Sequence, residues 1–443
     1  MAARSEGFGV DLPTLQIHRS LRRSIALYNE DPLRFAERAV GMGEIVGLRF
    51  GMFTPAYILN DPEVARSMFI AGAKSWRRPP ATVVPIRLAL GENLFTQSDR
   101  DWALLQPVLA PDFRKRALEP RLAEVGALVE DEVAALPFDT DIDFDQAMGR
   151  IALMVATWVL FGEHLERSRA DELVAHQRVV IDWLAKRIGS SQAMVPFDVG
   201  RHGRHMRAHR AAIEAYANEI IESRQRSGSA KDDVLTALLA AKPGGRALTP
   251  IELSRQVLGL FGAGNETTAA ALCWAIVYGA SHHREWAALR QDPALGTNYV
   301  AETLRLCPPG WGIPRSPARG VGEVVAGGHR IKVRRYQMIV INVYGMNRDE
   351  SVWPDAASFN PARHACPSKE QERALLPFGL GPRGCIGQHI ALTEMAALLP
   401  ALARHGDPEV VGQPSGHPTF TLRVRGGLRG RFRRPAADVD PGG

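Results

Sequence analysis

Residues 256–283 form an apolar, small-residue run that carries one charged side chain, Glu266. A stretch of roughly 20 apolar residues can cross a bilayer, so this run is either a membrane span or a helix threaded through a large protein core. Its centre decides between them. Gly264-Asn265-Glu266-Thr267-Thr268 would be costly in lipid and belongs in a functional interior. The expectation is a long buried helix over 249–281, with Thr249 as N-cap, Pro250 in the first turn and Glu252 near the capping-box position. Such a helix needs a wide core around it, and 443 residues at 45% hydrophobic and 23% charged can supply one.

The rest of the chain reads as mostly α with small β-sheet regions. Near the start, a short helix (32–40), two β-rich runs (44–50 and 53–59) joined at Gly51, and a helix over 61–70 are expected. A loop rich in Pro and Gly follows, containing Pro79, Pro80, Pro85 and Gly91. Helical period then dominates: 99–109, 120–136, 145–161, 170–188, 205–226, 231–241 and 249–281. From Gly320 the pattern turns to β (323–325, a Gly327-Gly328 turn, 330–333, 338–343), and 347–382 reads as one long irregular stretch. Helix returns over 386–403, a hairpin of 420–424 with 428–432 is expected, and the last eleven residues look frayed. No linker or charge block divides the chain, so a single domain over 1–443 with its core in 32–432 is the expectation.

A net charge of +6, from 54 basic and 48 acidic residues mixed throughout, is too mild for nucleic acid and suits at most an acidic protein partner. The four cysteines lack paired spacing, a haem-attachment signature or a preceding secretory signal, which points to reducing cytoplasm. Arg4, Glu6, Asp11, Arg19, Arg22 and Arg23 precede any long apolar run, so neither signal peptide nor membrane anchor is expected.

The sharpest local signal is Phe378-Gly379-Leu380-Gly381-Pro382-Arg383-Gly384-Cys385-Ile386-Gly387. Glycines let the backbone take positive φ and pass close to a flat partner. A cysteine opening a helix faces unpaired N–H groups and a positive dipole end, which favour thiolate, and a thiolate favours a metal. Arg383 can meet an anionic group beside that metal. Upstream, Glu302 and Arg305 share a helix face that Cys307-Pro308-Pro309 ends at once. In the central helix, Ala263, Glu266, Thr267 and Ala270 are expected on one side, a narrow face with one acid and one hydroxyl against which a flat cofactor could lie.

The ten-residue cysteine loop resembles the haem-binding loop of the cytochrome P450 family, F-x-x-G-x-R-x-C-x-G, at every defined position. The resemblance extends over residues 32–432 in the order hairpin, helices, acid-alcohol helix, Glu-Arg helix, β region, irregular segment, cysteine loop. It implies the family's triangular, mostly α fold and a haem b whose iron is held by Cys385, with Phe378, Gly379, Gly387 and Ala263 against the cofactor. Trp102, Arg315 and Arg383 are implied partners for its propionates; Gln106 stands where the family usually has a basic residue. Glu302, Arg305 and Arg363 are implied to form a structural charge cluster, and Glu266 and Thr267 to relay protons to bound O2. The implied activity is a monooxygenase that hydroxylates or epoxidises a small lipophilic substrate. Electrons would come from a separate ferredoxin or flavodoxin with its NAD(P)H reductase, and the protein would be monomeric. The competing expectations are a peroxide-driven peroxygenase and a non-catalytic haem sensor or carrier. Expected pocket walls are 80–94, Leu258, Gly262, Ala263, 310–313 and Phe420, with 170–226 as a mobile lid hinged at 189–203.

Overall fold

Thr249 caps the central helix as its sequence requires. Its side chain accepts from the Glu252 backbone, the Glu252 carboxylate accepts from the Thr249 N–H, and the helix then runs from Pro250 to Ser281. The computed structural model describes residues 12–434 except 189, 191, 192 and 230; the frayed C-terminus expected from sequence falls largely outside them.

The chain separates into two compact units, residues 1–82 with 304–385, and residues 83–303 with 386–443. The first is built on a six-stranded sheet in the order Thr14–His18, Ile45–Phe50, Phe53–Leu59, Met338–Ile341, Ile313–Pro317, Trp76–Arg77. The expected hairpin is its centre, with Ile45 opposite Leu59 and Gly51 in the turn at φ +61°. Strand Met338–Ile341 pairs parallel to Phe53–Leu59 and antiparallel to Ile313–Pro317. Ile45, Leu59, Ile339 and Ile341 are buried in one apolar cluster with Met68 and Phe69 of the helix Pro62–Ile70. This fixes the strand that carries Arg315 against the sheet.

The second unit holds the long helices. The central helix packs on the helix Phe144–Phe161, and Trp274 on the former donates to the Leu422 carbonyl at 3.1 Å. Helices Arg167–Ile188 and Arg201–Ser227 pack on each other. Among the described residues, the one helix long and apolar enough to cross a membrane is Phe144–Phe161, and 78% of that window is buried in protein.

Several sequence expectations change. Residues 80–90 form a helix rather than a loop. Pro80 sits at its start, where a missing N–H costs nothing, and Ile86, Ala89 and Leu90 are buried on it, which outweighs the lost bond at Pro85. The helix expected from 120 begins at Lys115, with Pro120 in its first turns. The irregular stretch contains a turn of tight helix at Pro361–His364 and a capped helix at Lys369–Ala374. The hairpin of 420–424 with 428–432 does not form. Leu422–Val424 instead pairs with Gly416–Pro418, while Arg429–Arg433 pairs with Asp407–Val410 and Ile142–Asp143. Gly426 and Gly427, both at positive φ, turn the chain from one small sheet into the other.

Candidate active site

In the first unit the cysteine loop is shaped by backbone contacts that only glycine permits. Gly379 and Gly381 sit at φ +63° and +69°, and a Cβ on Gly381 would lie 2.2 Å from the Phe69 carbonyl oxygen. The Cys385 N–H donates to the Phe378 carbonyl at 2.9 Å and the Gly384 N–H to that of Gly381 at 3.0 Å. The loop therefore closes on itself; Cys385 and Cys366 are exposed, whereas Cys273 and Cys307 are buried. The helix after it opens at Gln388 with Gly387 as N-cap, so Cys385 lies three residues ahead of the helix rather than at its first turn. Phe378, Gly379 and Arg383 are half-buried along the same loop.

Arg315, on the strand Ile313–Pro317, is only 8% exposed. It donates to the Pro314 carbonyl at 3.0 Å, and its guanidinium lies 5.1 Å from the Phe69 ring centre. Burial, and then the like charge of Arg383, push its pKa down to about 10. A buried cation facing a second cation is a position suited to an anion.

Arg305 and Glu302, three apart on the helix Gly296–Leu306, are both fully buried. Arg305 donates to the carbonyls of Asn347 (2.6 Å), Ala356 (2.8 Å) and Ser358 (3.1 Å), and stacks over Trp353 at 5.3 Å. Arg363 reaches the same Ser358 carbonyl and those of Pro354 and Asp355. The two arginines thus tie down the irregular segment that leads into the cysteine loop.

In the second unit the central helix presents Ala263 exposed and Thr267 half-buried, with the Thr267 hydroxyl donating to the Ala263 carbonyl at 2.9 Å. Thr268 does the same to Gly264 at 3.0 Å. Glu266 departs from the expected face. Its carboxylate is buried, accepts from the Thr421 hydroxyl at 2.7 Å, and is gripped by Nε and Nη2 of Arg423. Arg423 also reaches Asp182 at 3.5 Å. Burial alone would weaken the Arg423 cation, but the charge and hydrogen bonds of Glu266 outweigh it and its pKa is raised. An acid one residue before Thr267 is turned by about 100° around the helix, enough to reach a different neighbour. Trp102 and Gln106 are half-buried on the helix Asp99–Leu109, capped by Ser98.

Thr421, Arg423, Asp182 and Gln177, whose Oε1 accepts from Asn265 at 2.6 Å, are marked by no sequence pattern. The one available signal is the lone charge in the apolar run. A buried carboxylate demands a cation, but nothing in the sequence says which.

Cys385, presented by that glycine loop, suits a metal that brings its remaining ligands with it, since no group of three His, Cys, Asp or Glu able to hold an ion occurs among the described residues. The Arg315–Arg383 neighbourhood suits that cofactor's carboxylates. The sequence profile of cytochrome P450 matches residues 26–295 and 291–413. The chain belongs to the cytochrome P450 family. It is 28% identical over 410 residues to the cyclooctat-9-en-7-ol 5-monooxygenase of Streptomyces melanosporofaciens, covering 86% of each chain. It is also 26% identical over 442 residues to cytochrome P450 734A6 of Oryza sativa, covering 89% of this chain and 78% of that one. Among solved structures it is similar to a cytochrome P450 of Thermus thermophilus, with a TM-score of 0.77, 21% identity and coverage of 96% and 100%. A structure described as a six-coordinated cytochrome P450, from another strain of that species, matches at TM-score 0.73 and 21% identity, with 91% and 99% covered. The fold is the P450 fold, and the protein is a haem-iron oxidoreductase of the monooxygenase type that needs O2, a substrate and a source of electrons.

Proposed function

We propose that this P450 inserts one oxygen atom of O2 into a small lipophilic molecule, with haem b held by Cys385 and electrons supplied by a separate ferredoxin or flavodoxin and its reductase. The observation that carries the reading is the self-closed glycine loop with its exposed Cys385. Bound through that thiolate, the cofactor supplies oxygen activation, because thiolate donation favours O–O cleavage.

The chain's own residues have distinct tasks. Phe378, Gly379, Gly387 and the Ala263 face would lie against the ring, and Arg315, Arg383 and Trp102 would meet its propionates. Glu302, Arg305 and Arg363 would hold the approach to the loop, Arg305 and Arg363 meeting at the Ser358 carbonyl. Thr267 keeps its hydroxyl proton on the Ala263 carbonyl and can turn it outward. The Glu266 carboxylate accepts from Arg423 and Thr421, so it would turn toward Thr267 only when Arg423 gives way.

A relative named for acting on an unsaturated alcohol supports a lipophilic substrate. The cysteines' lack of paired spacing supports a reducing cytoplasm, and the protein is proposed to act as a monomer. A peroxide-driven reaction remains a second reading because Glu266 is engaged by Arg423. The test is an isotope experiment with holoenzyme, a surrogate ferredoxin system and NADPH under labelled O2. One labelled oxygen in the product is the expected result. Label that enters only from labelled peroxide would replace it with the peroxygenase reading, and no turnover under either condition would favour a sensor or carrier.

A further inference from the structure

We propose that Gln177 is the polar contact for an oxygen function on the substrate, so that the enzyme selects a lipophilic alcohol or ketone over the matching hydrocarbon. The inference rests on the monooxygenase reading and adds its specificity. A cavity in the second unit is walled by Leu90, Val180, Ile181, Ile213 and Leu258, with Gly262 at its floor and two polar side chains, Gln177 and Glu266. It has room for about one water-sized group, too little for a ring system and right for a single oxygen substituent.

Of the two polar groups, Glu266 is committed to Arg423 and Thr421. Gln177 is not. Its Oε1 accepts from the buried Asn265 amide at 2.6 Å, which fixes the plane of the carboxamide, and among the described residues no acceptor takes its Nε2 donors. A fixed amide with a spare N–H₂ in an aliphatic wall offers a hydrogen bond to a hydroxyl or carbonyl oxygen, and a bare hydrocarbon would leave it unpaired. Gly262 keeps the subsite open, since a Cβ there would lie 3.0 Å from Leu90 Cδ1.

The experiment measures binding of cyclododecane, cyclododecanol and cyclododecanone to the holoenzyme by equilibrium dialysis, with the reduced carbon-monoxide spectrum recorded for each preparation. Wild type is expected to bind the alcohol and ketone about tenfold more tightly than the hydrocarbon. Gln177→Leu should erase that preference while leaving cyclododecane affinity within about twofold. If Gln177→Leu does not fold, Gly262→Ala serves instead, and should reduce the advantage by closing the subsite against Leu90. No preference in wild type, or an unchanged preference in a folded variant, would overturn the proposal and make the subsite a site for structural water only. Loss of the thiolate spectrum in wild type would instead overturn the underlying reading.

Discussion

Arg315 in the first unit is buried and Arg423 in the second is half-buried, both are desolvated, and their protonation equilibria move in opposite directions. Burial and the like charge of Arg383 lower the pKa of Arg315 to about 10. The same desolvation acts on Arg423, yet the Glu266 carboxylate reverses it and raises the pKa. The difference separates two uses of a desolvated cation. Arg423 is part of the fold, neutralised by its own chain; Arg315 bears a desolvation cost that an anionic ligand would relieve.

The largest effect expected from this contrast is at Arg423. Arg423→Gln leaves Glu266 buried without its cation, and should cost about 3 kcal/mol of stability in denaturant unfolding. A variant as stable as wild type would break the comparison, because Glu266 would then need no partner. Arg315→Leu should behave differently. In haem-free protein it should cost nothing or stabilise slightly, whereas loss of a charged hydrogen bond to a propionate should speed haem transfer to an acceptor apoprotein about tenfold. Equal destabilisation with and without haem would make Arg315 another structural cation.

Two smaller effects sharpen the second unit. The carboxylate of Glu252 is pulled down to about 2, first by its hydrogen bond from Arg246 and then by the Thr249 N–H. Its contribution is present above the ordinary glutamate range and is lost as pH falls toward 2. Glu252→Gln should therefore cost about 1 kcal/mol at most near neutral pH, and less at high salt, by thermal unfolding. At the helix pair, His176 and His209 hydrogen-bond through Nδ1 at 2.8 Å, and burial with the charges of His176 and His205 lowers the His209 pKa. Charging His209 is penalised in the fold, so stability there is full above about pH 6.5 and declines as pH falls below it. Hydrogen exchange should show the Arg167–Ile188 and Arg201–Ser227 helices opening more readily in mild acid, and His209→Gln should flatten that dependence.

The elements most legible in sequence are those fixed by local chemistry. The capping box at Thr249, the Asp-Pro start of Pro62–Ile70 and the hairpin around Gly51 are each decided within a few residues, and each falls where expected. The cysteine loop is readable for the same reason: positive φ and the close approach to Phe69 demand glycine. What sequence cannot supply are long-range choices. Residues 80–90 read as a loop because prolines outvote the tertiary burial of Ile86 and Leu90. Residues 420–432 read as a hairpin because alternation is visible but pairing partners are not. Adjacent on the helix, Glu266 and Thr267 are about 100° apart, and the partner that Glu266 reaches is set by Arg423, 157 residues away.

The most direct test of the account is the reduced carbon-monoxide difference spectrum of the purified protein beside Cys385→Ser. The account predicts a strongly red-shifted Soret band in wild type that is lost in the variant. Wild type with the spectrum of histidine-ligated haem, or a thiolate band that survives in Cys385→Ser, would contradict it.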